Sequence, residues 1–317
     1  MTDNGGQWER DVIAKLATAA LREQRRARLW GIFFKLLTFA YIAIAVLLVF
    51  DWKGGDGAMV GGKMHTALVD LTGTISSGGD SSAEKINAAL QAAFKDKHTQ
   101  GVILRINSPG GSPVQAQTIY DEMRRLRKKY PAIPLYVVVE DICASGGYFV
   151  AAAADRIYVS KSSIVGSIGV LMNGFGFTGL MDKLGVERRL ITAGENKGML
   201  DPFSPLREKD KEYAEKLAED VHQQFIAVVR EGRGKRLKET PDMFSGLFWT
   251  GEKGVQLGLA DAFGSLDSVA RDVIKAEDIV DYSEKDSFAE KFARRFGASV
   301  GAAIADVALR ASPALIR

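Results

Sequence analysis

"GVILRINSPGGSPVQAQTIYDEMRRLRKKYPAIPLYVVVED", Gly101 to Asp141, is the stretch that decides the fold class. It opens on GVILRIN, a largely apolar run of strand length, and closes on a further strand pattern, PLYVVVED. Between them lie a glycine-rich turn and a helical pattern with Ile119, Met123 and Leu126 on one face. The rhythm continues outward. HTALVDLTGTI precedes it as a strand pattern, followed by a helical stretch from Ser82 to Phe94; a small-residue helix and the strand DRIYVS come after it. Strand and helix alternating at this length predict an α/β domain whose strands are largely parallel and buried. In such folds function gathers at the carboxyl ends of the strands, in the turns that open the helices.

Two of those turns are unusual. NSPGGS, Asn107 to Ser112, ends the second strand; Ser112 and Pro113 suit the N-cap and first position of the next helix, and the paired glycines leave backbone amides free to point at a neighbour. CASGGY ends the third strand and places Ser145 at the start of a helix, with Gly146, Gly147 and Ala151 to Ala154 as small neighbours. Ser145 by itself fits either a plain N-cap or an exposed nucleophile that a peptide backbone can approach closely.

Composition narrows the classes of function. The 317 residues are 46% hydrophobic and 26% charged, with a formal net charge of +3 and both signs interspersed, which does not suit a binder of nucleic acid by phosphate neutralisation. The single cysteine, Cys143, excludes an intramolecular disulfide and a cysteine-rich metal site, and reads as a buried small hydrophobe. Leu29 to Phe50 forms a 22-residue apolar run with Lys35 as its only charge, long enough to cross a bilayer as an uncleaved anchor. Arg22, Arg25, Arg26 and Arg28 flank its N-terminal side against Lys53 beyond it, which predicts a cytoplasmic N-terminus and an outward-facing remainder.

A serine nucleophile needs a base. His65, His98 and His222 are the three histidines, and none lies in a glycine-rich turn, so a serine–histidine–aspartate triad is disfavoured. A lysine can serve where burial disfavours its ammonium form. Lys197, in the loop AGENKGMLDPFSPL from Ala193 to Leu206, is a candidate, although alone it reads equally as a solvated loop lysine.

NSPGG, ASGGY, GSIGV and ENKGMLDPFSP, in this order behind an N-terminal anchor, resemble the signal peptide peptidase A family of bacterial serine–lysine proteases, over roughly Ala67 to Asp267. The resemblance implies Ser145 as nucleophile, Lys197 as general base, an oxyanion hole from the amides of Gly110 or Gly111 and of Gly146, and Ser167 as the serine that holds the lysine. It implies a Clp- and crotonase-like fold of repeated ββα units behind one transmembrane helix, with neither cofactor nor metal. It further implies a homo-oligomer of eight subunits whose serine and lysine meet across an interface, and peptide substrates left from signal peptides. The chain then divides into a basic cytoplasmic N-terminus (1–28), an anchor (29–50), a glycine-rich linker (51–64), a protease domain (65–270) and an amphipathic tail (271–317), with the protease domain outside the bacterial cytoplasmic membrane.

Other signals are weaker. GFGFTG, Gly174 to Gly179, matches a dinucleotide-binding pattern, but no clear long helix opens there and no acidic residue follows at the expected distance. Phe288, Phe292, Phe296, Val300 and Ile304 recur every fourth residue among basic ones, as in a helix that packs on a protein surface or lies on a membrane. An acyl-CoA enzyme or a silent scaffold of the same fold are the rival readings.

Overall fold

The computed structural model describes residues 24–26, 28–42, 44 and 63–283. The chain divides into two compact units at Gly62/Lys63. In the first, residues 28–42 are helical and exposed. Among the described residues no helix is long and apolar enough to cross a membrane. The expected span Leu29–Phe50 runs past those residues, and 51–62 and 284–317 lie outside them.

The second unit is built on one eight-stranded sheet. Its core follows the predicted alternation: β1 (His65–Thr72), α1 (Ala83–Lys95), β2 (Thr99–Ser108), α2 (Pro113–Lys129), β3 (Leu135–Ala144), α3 (Gly146–Ala151) and β4 (Arg156–Val159). These four strands pair in parallel, β1 with β2, β2 with β3 and β3 with β4. Val102, Leu104 and Ile106 of β2 point into the main core with Ile119, Met123 and Leu126 of α2, while Ile103 points into a smaller cluster on the other face with Leu68, Val138 and Tyr158. Both faces are covered, which is why β2 and β3 carry runs such as VIL and VVV rather than a strict alternation. Ser112 caps α2 by accepting from the Gln115 amide at 3.4 Å, with Pro113 in the first turn.

The repeat differs from ββα units. After β1 and β2 the second strand of the unit is reduced to one residue, Ile75 bridging Gly111 in parallel, because glycine turns at Gly73 and Gly110 bend the chain away within two or three residues. After β3 no break intervenes. The strand bends instead, so that Tyr136–Val138 pair with β4 whereas Ile142–Ala144 pair with β5 (Ile164–Gly166). Antiparallel to β5 runs β6 (Phe248–Thr250). That fork carries the end of β3 sideways and presents Ser145 beside the end of β5.

The later elements are α4 (Thr178–Leu184), α5 (Glu208–Arg233), α6 (Gly251–Leu257), β7 (Ala262–Phe263) and β8 (Ile279–Asp281). The sheet does not end at residue 270, where the tail was expected to begin: β8 pairs in parallel with β1 and closes that edge. Three residues of strand after a lysine-ended helical turn are too short to stand out in the sequence.

A buried ion pair ties α5 to β4 and β7. Arg233, whose side chain is fully buried, donates to both Asp261 oxygens at 2.9 and 2.8 Å and to Gly258 O at 2.8 Å; Asp261 also accepts from the Ile157 amide at 2.7 Å. Burial pushes the Asp261 carboxyl up, but the hydrogen bonds and charge of Arg233, the Ile157 amide and Arg236 outweigh it and hold the group below the usual carboxylate range. Asp261→Asn is therefore expected to cost about 3 kcal/mol, read as a lower urea midpoint at pH 7. In the wild type this contribution is present above the unfolded carboxyl value near ~4 and is lost as pH falls through the lower folded value. The variant should lack that acid-side decline; an unchanged midpoint at pH 7 would show the pair to be idle.

Candidate active site

The carboxyl ends of β1, β2 and β3 converge on Ser145. Two hydrogen bonds clamp the NSPGG turn to the chain after β1, Ile75 N–H to Gly110 O at 2.9 Å and Ser112 N–H to Ile75 O at 2.8 Å. The clamp explains both glycines. A Cβ at Gly111 would stand 2.2 Å from Ile75 O, and one at Gly110 would stand 2.6 Å from Gly146 N and 2.8 Å from Ser145 Cβ. The turn therefore lies directly against the Ser145 turn, closer than any side chain would permit.

Which amides remain free decides what this contact can do. Gly110 N–H is occupied by Ser108 Oγ at 3.1 Å. Among the described residues the amides of Gly111 and Gly146 have no partner, and Gly111 N lies 3.2 Å from where a Gly146 Cβ would stand. Of the two alternatives at the first turn, Gly111 and not Gly110 has the donor available to pair with Gly146. Two neighbouring unpaired amides are what an oxyanion hole requires.

Ser145 itself is not a helix cap. A capping serine sits in the extended region with its oxygen on an amide of the first turn. Ser145 has φ 49° and ψ −123° and makes no capping bond. Among the described residues its hydroxyl has no hydrogen-bond partner. Its backbone is held from both sides, by Ser145 N–H to Gly166 O at 2.9 Å and Phe149 N–H to Ser145 O at 2.9 Å. A serine kept in this sparsely populated region, at a cost of about 1–3 kcal/mol, has its hydroxyl aimed by the fold rather than by local preference. It faces a cavity of about 740 Å³, which Gly111, Gly146 and Ser167 also line and which Ala116, Phe149 and Phe225 make apolar.

Two comparisons fall on these same segments. The model of peptidase family S49 matches residues 127–279, and the model of the Clp protease family matches 63–165. A Synechocystis protein whose name calls it a protease is 30% identical over 203 residues, 64% of this chain and 71% of that one. This chain belongs to peptidase family S49. An Enterococcus faecium family member, named as a signal peptide peptidase, is 31% identical over 187 residues, 58% of this chain and 54% of that one. A Brucella abortus protein named as the Na(+)/H(+) antiporter NhaA is 46% identical over 209 residues, 64% of this chain. This chain spans 28% of the Brucella relative and about half of the Enterococcus one, so the antiporter name belongs to a much longer molecule.

The remaining S49 candidates fall in two places. Ser167, at φ 54°, lines the cavity with Ser145, and its amide donates to Leu247 O at 2.7 Å. Lys197 does not line it. It is exposed, and among the described residues its ammonium has no hydrogen-bond or ion-pair partner. It sits on an arm, residues 170–206, that is exposed almost throughout, including Leu171 at 79%, Phe175 at 82% and Ile191 at 96%. One chain therefore brings Ser145, Gly111, Gly146 and Ser167 together and leaves Lys197 outside.

The other sequence candidates are placed away from the cavity. His65 is buried with its ring on Lys63 O at 3.2 Å and Tyr282 Oη at 3.1 Å, His98 rests on Asp96 at 3.2 Å, and His222 lies 3.7 Å from Glu219. Cys143 is buried, and burial pushes its thiol up, away from the reactive thiolate. The GFGFTG segment leads only into the seven-residue α4 and is largely exposed. Two contributors escaped the sequence reading. Ser108 sat inside NSPGG but was overshadowed by its glycines, and Phe225 of α5 carried no motif at all.

Proposed function

We propose that this protein is a serine endopeptidase in which Ser145 attacks the substrate carbonyl and Lys197 is the general base. The observation that carries the reading is the Ser145 turn: a hydroxyl without a partner, aimed by strained backbone into an apolar cavity beside two unpaired amides. Ser145 Oγ bonds to the carbonyl carbon while its proton passes to the lysine amine. The carbonyl oxygen takes the negative charge opposite the amides of Gly111 and Gly146. The lysine then protonates the leaving amine, and water releases the acyl group by the same route in reverse.

A lysine base needs burial, which a single chain does not give Lys197. In this reading a second copy of the chain supplies the missing burial: Leu171, Phe175 and Ile191 leave the arm's apolar side chains exposed, and a neighbour that covers the arm would offer its Ser145 and Ser167 to Lys197. An acyl-CoA enzyme would have no use for a strained serine. The substrates are extended apolar peptides, of the kind that signal peptides leave, matching the apolar walls of the cavity. The anchor Leu29–Phe50, with arginines before it, would hold the enzyme in the bacterial cytoplasmic membrane with this domain outside.

Hydrolysis of a leucine-rich fluorogenic peptide between pH 6 and 10 tests the assignment. Lys197→Ala should lose about 10³-fold or more at every pH in that range. Ser145→Ala and Lys197→Ala proteins, each inactive, should recover about a quarter of wild-type activity when unfolded and reassembled together at equal amounts, since a site then needs one intact residue from each of two subunits. No recovery in a mixture shown to co-assemble would place both residues in one chain or remove Lys197 from the mechanism.

A further inference from the structure

One buried hydroxyl ties together the three turns beneath the nucleophile. Ser108, the last residue of β2, is fully buried and lies in register with Cys143 of β3. Its Oγ donates to Gly73 O at 2.6 Å and accepts from Gly110 N–H at 3.1 Å. A Cβ at Gly147 would stand 3.1 Å from Ser108 O and 3.4 Å from Ser108 Cβ, so the first turn of α3 rests on this residue as well.

The consequence lies in the peptide planes. Gly110 and Gly111 have φ of +102° and +148°, and glycines in succession have the least intrinsic stiffness of any dipeptide. Two bonds remove that freedom. Ser108 Oγ holds Gly110 N–H and so fixes the plane before Gly110; Ile75 N–H, on Gly110 O at 2.9 Å, fixes the plane after it. The second plane also contains Gly111 N–H. With both planes fixed, the direction of Gly111 N–H is set before substrate arrives, which is what an oxyanion donor requires.

We propose that Ser108 is a positioning residue for catalysis: its hydroxyl fixes the Pro109–Gly110 peptide, and with Ile75 on the next peptide this holds Gly111 N–H where the oxyanion forms. Ser108 touches neither substrate nor nucleophile oxygen. The proposal rests on the reading of Ser145 as nucleophile. Its effect belongs to the transition state, because a ground-state carbonyl makes little demand on the donor's direction.

The test compares wild type, Ser108→Ala and Ser108→Thr on the same fluorogenic peptide, together with the affinity of a peptidyl boronic acid, whose tetrahedral anion occupies the oxyanion position. Ser108→Ala should keep KM within about twofold and lose about 10- to 100-fold in kcat, as expected for a donor displaced rather than deleted. Its boronate affinity should fall by the same factor as kcat/KM. Ser108→Thr keeps the hydroxyl and should keep most of kcat. Wild-type kcat and boronate affinity in Ser108→Ala would overturn the proposal, as would equal losses in the alanine and threonine variants, which would assign the effect to packing. Wild type with no hydrolysis at all would instead remove the Ser145 reading on which it stands.

Discussion

Ser145→Gly is expected to abolish hydrolysis while raising the stability of the domain. The loss follows from removing the attacking oxygen, and should reach about 10⁴-fold or more, as when a nucleophile is deleted from a serine protease. The gain follows from the backbone. At φ 49° and ψ −123° a residue with a Cβ is strained by about 1–3 kcal/mol, whereas glycine adopts this conformation freely and gives back only about 0.5–1 kcal/mol through its more flexible unfolded chain. The net of about 1 kcal/mol corresponds to a Tm some 2–4 °C higher in a domain of this size. Ser145→Ala shares the loss of activity but not the gain, because alanine keeps the Cβ. Calorimetry of the three proteins separates the cases. If glycine and alanine shift Tm equally, the strain at Ser145 is not what the backbone angles imply.

Gly111→Ala is expected to cost at least 10²- to 10³-fold in kcat/KM, about the effect of losing one oxyanion donor, and to lower stability as well. The added methyl would meet Ile75 O at 2.2 Å, so either the Ile75–Gly110 clamp opens or the turn moves off Ser145. Either movement takes Gly111 N–H from its place. A useful contrast is Gly174→Ala, in the GFGFTG segment: within one chain nothing stands within 4 Å of its added Cβ, so it should leave the Tm of the unassembled chain unchanged. Kinetics and melting curves of both variants decide the matter, and a Gly111→Ala enzyme with wild-type kcat would exclude that amide from the oxyanion hole.

Much of this frame is legible in the sequence because it is local or periodic. The largely apolar runs of β2 and β3 announce strands covered on both faces, and Ser112 with Pro113 announces the start of α2. The fork of β3 is not legible, since Val139 to Ile142 carry no turn signal; it arises because two different strands, β4 and β5, compete for its two halves. β8 is hidden by its brevity and is defined only by pairing with β1. At the site, the motif names Ser145 but does not distinguish cap from nucleophile. That distinction lies in a φ angle imposed by Gly166 O and the start of α3. Ser108 is invisible for a related reason: its bond to Gly110 N–H is local, but its partner across the fold, Gly73 O, meets it only once β1 and β2 are in register. Lys197 is the opposite case, legible by its motif and left exposed by a single chain; under the proposed assembly a second copy would supply its burial.

The most direct test of the central claim, that Ser145 is the nucleophile, is covalent capture. A peptidyl fluorophosphonate with an apolar side chain is incubated with the full chain in detergent, and the modified residue is mapped by digestion and mass spectrometry. The serine oxygen should displace fluoride at phosphorus, giving one adduct on the peptide that contains Ser145, none in Ser145→Gly, and a much slower one in Lys197→Ala. An adduct confined to another residue, or continued peptide hydrolysis with Ser145 unmodified at saturating reagent, would contradict the account.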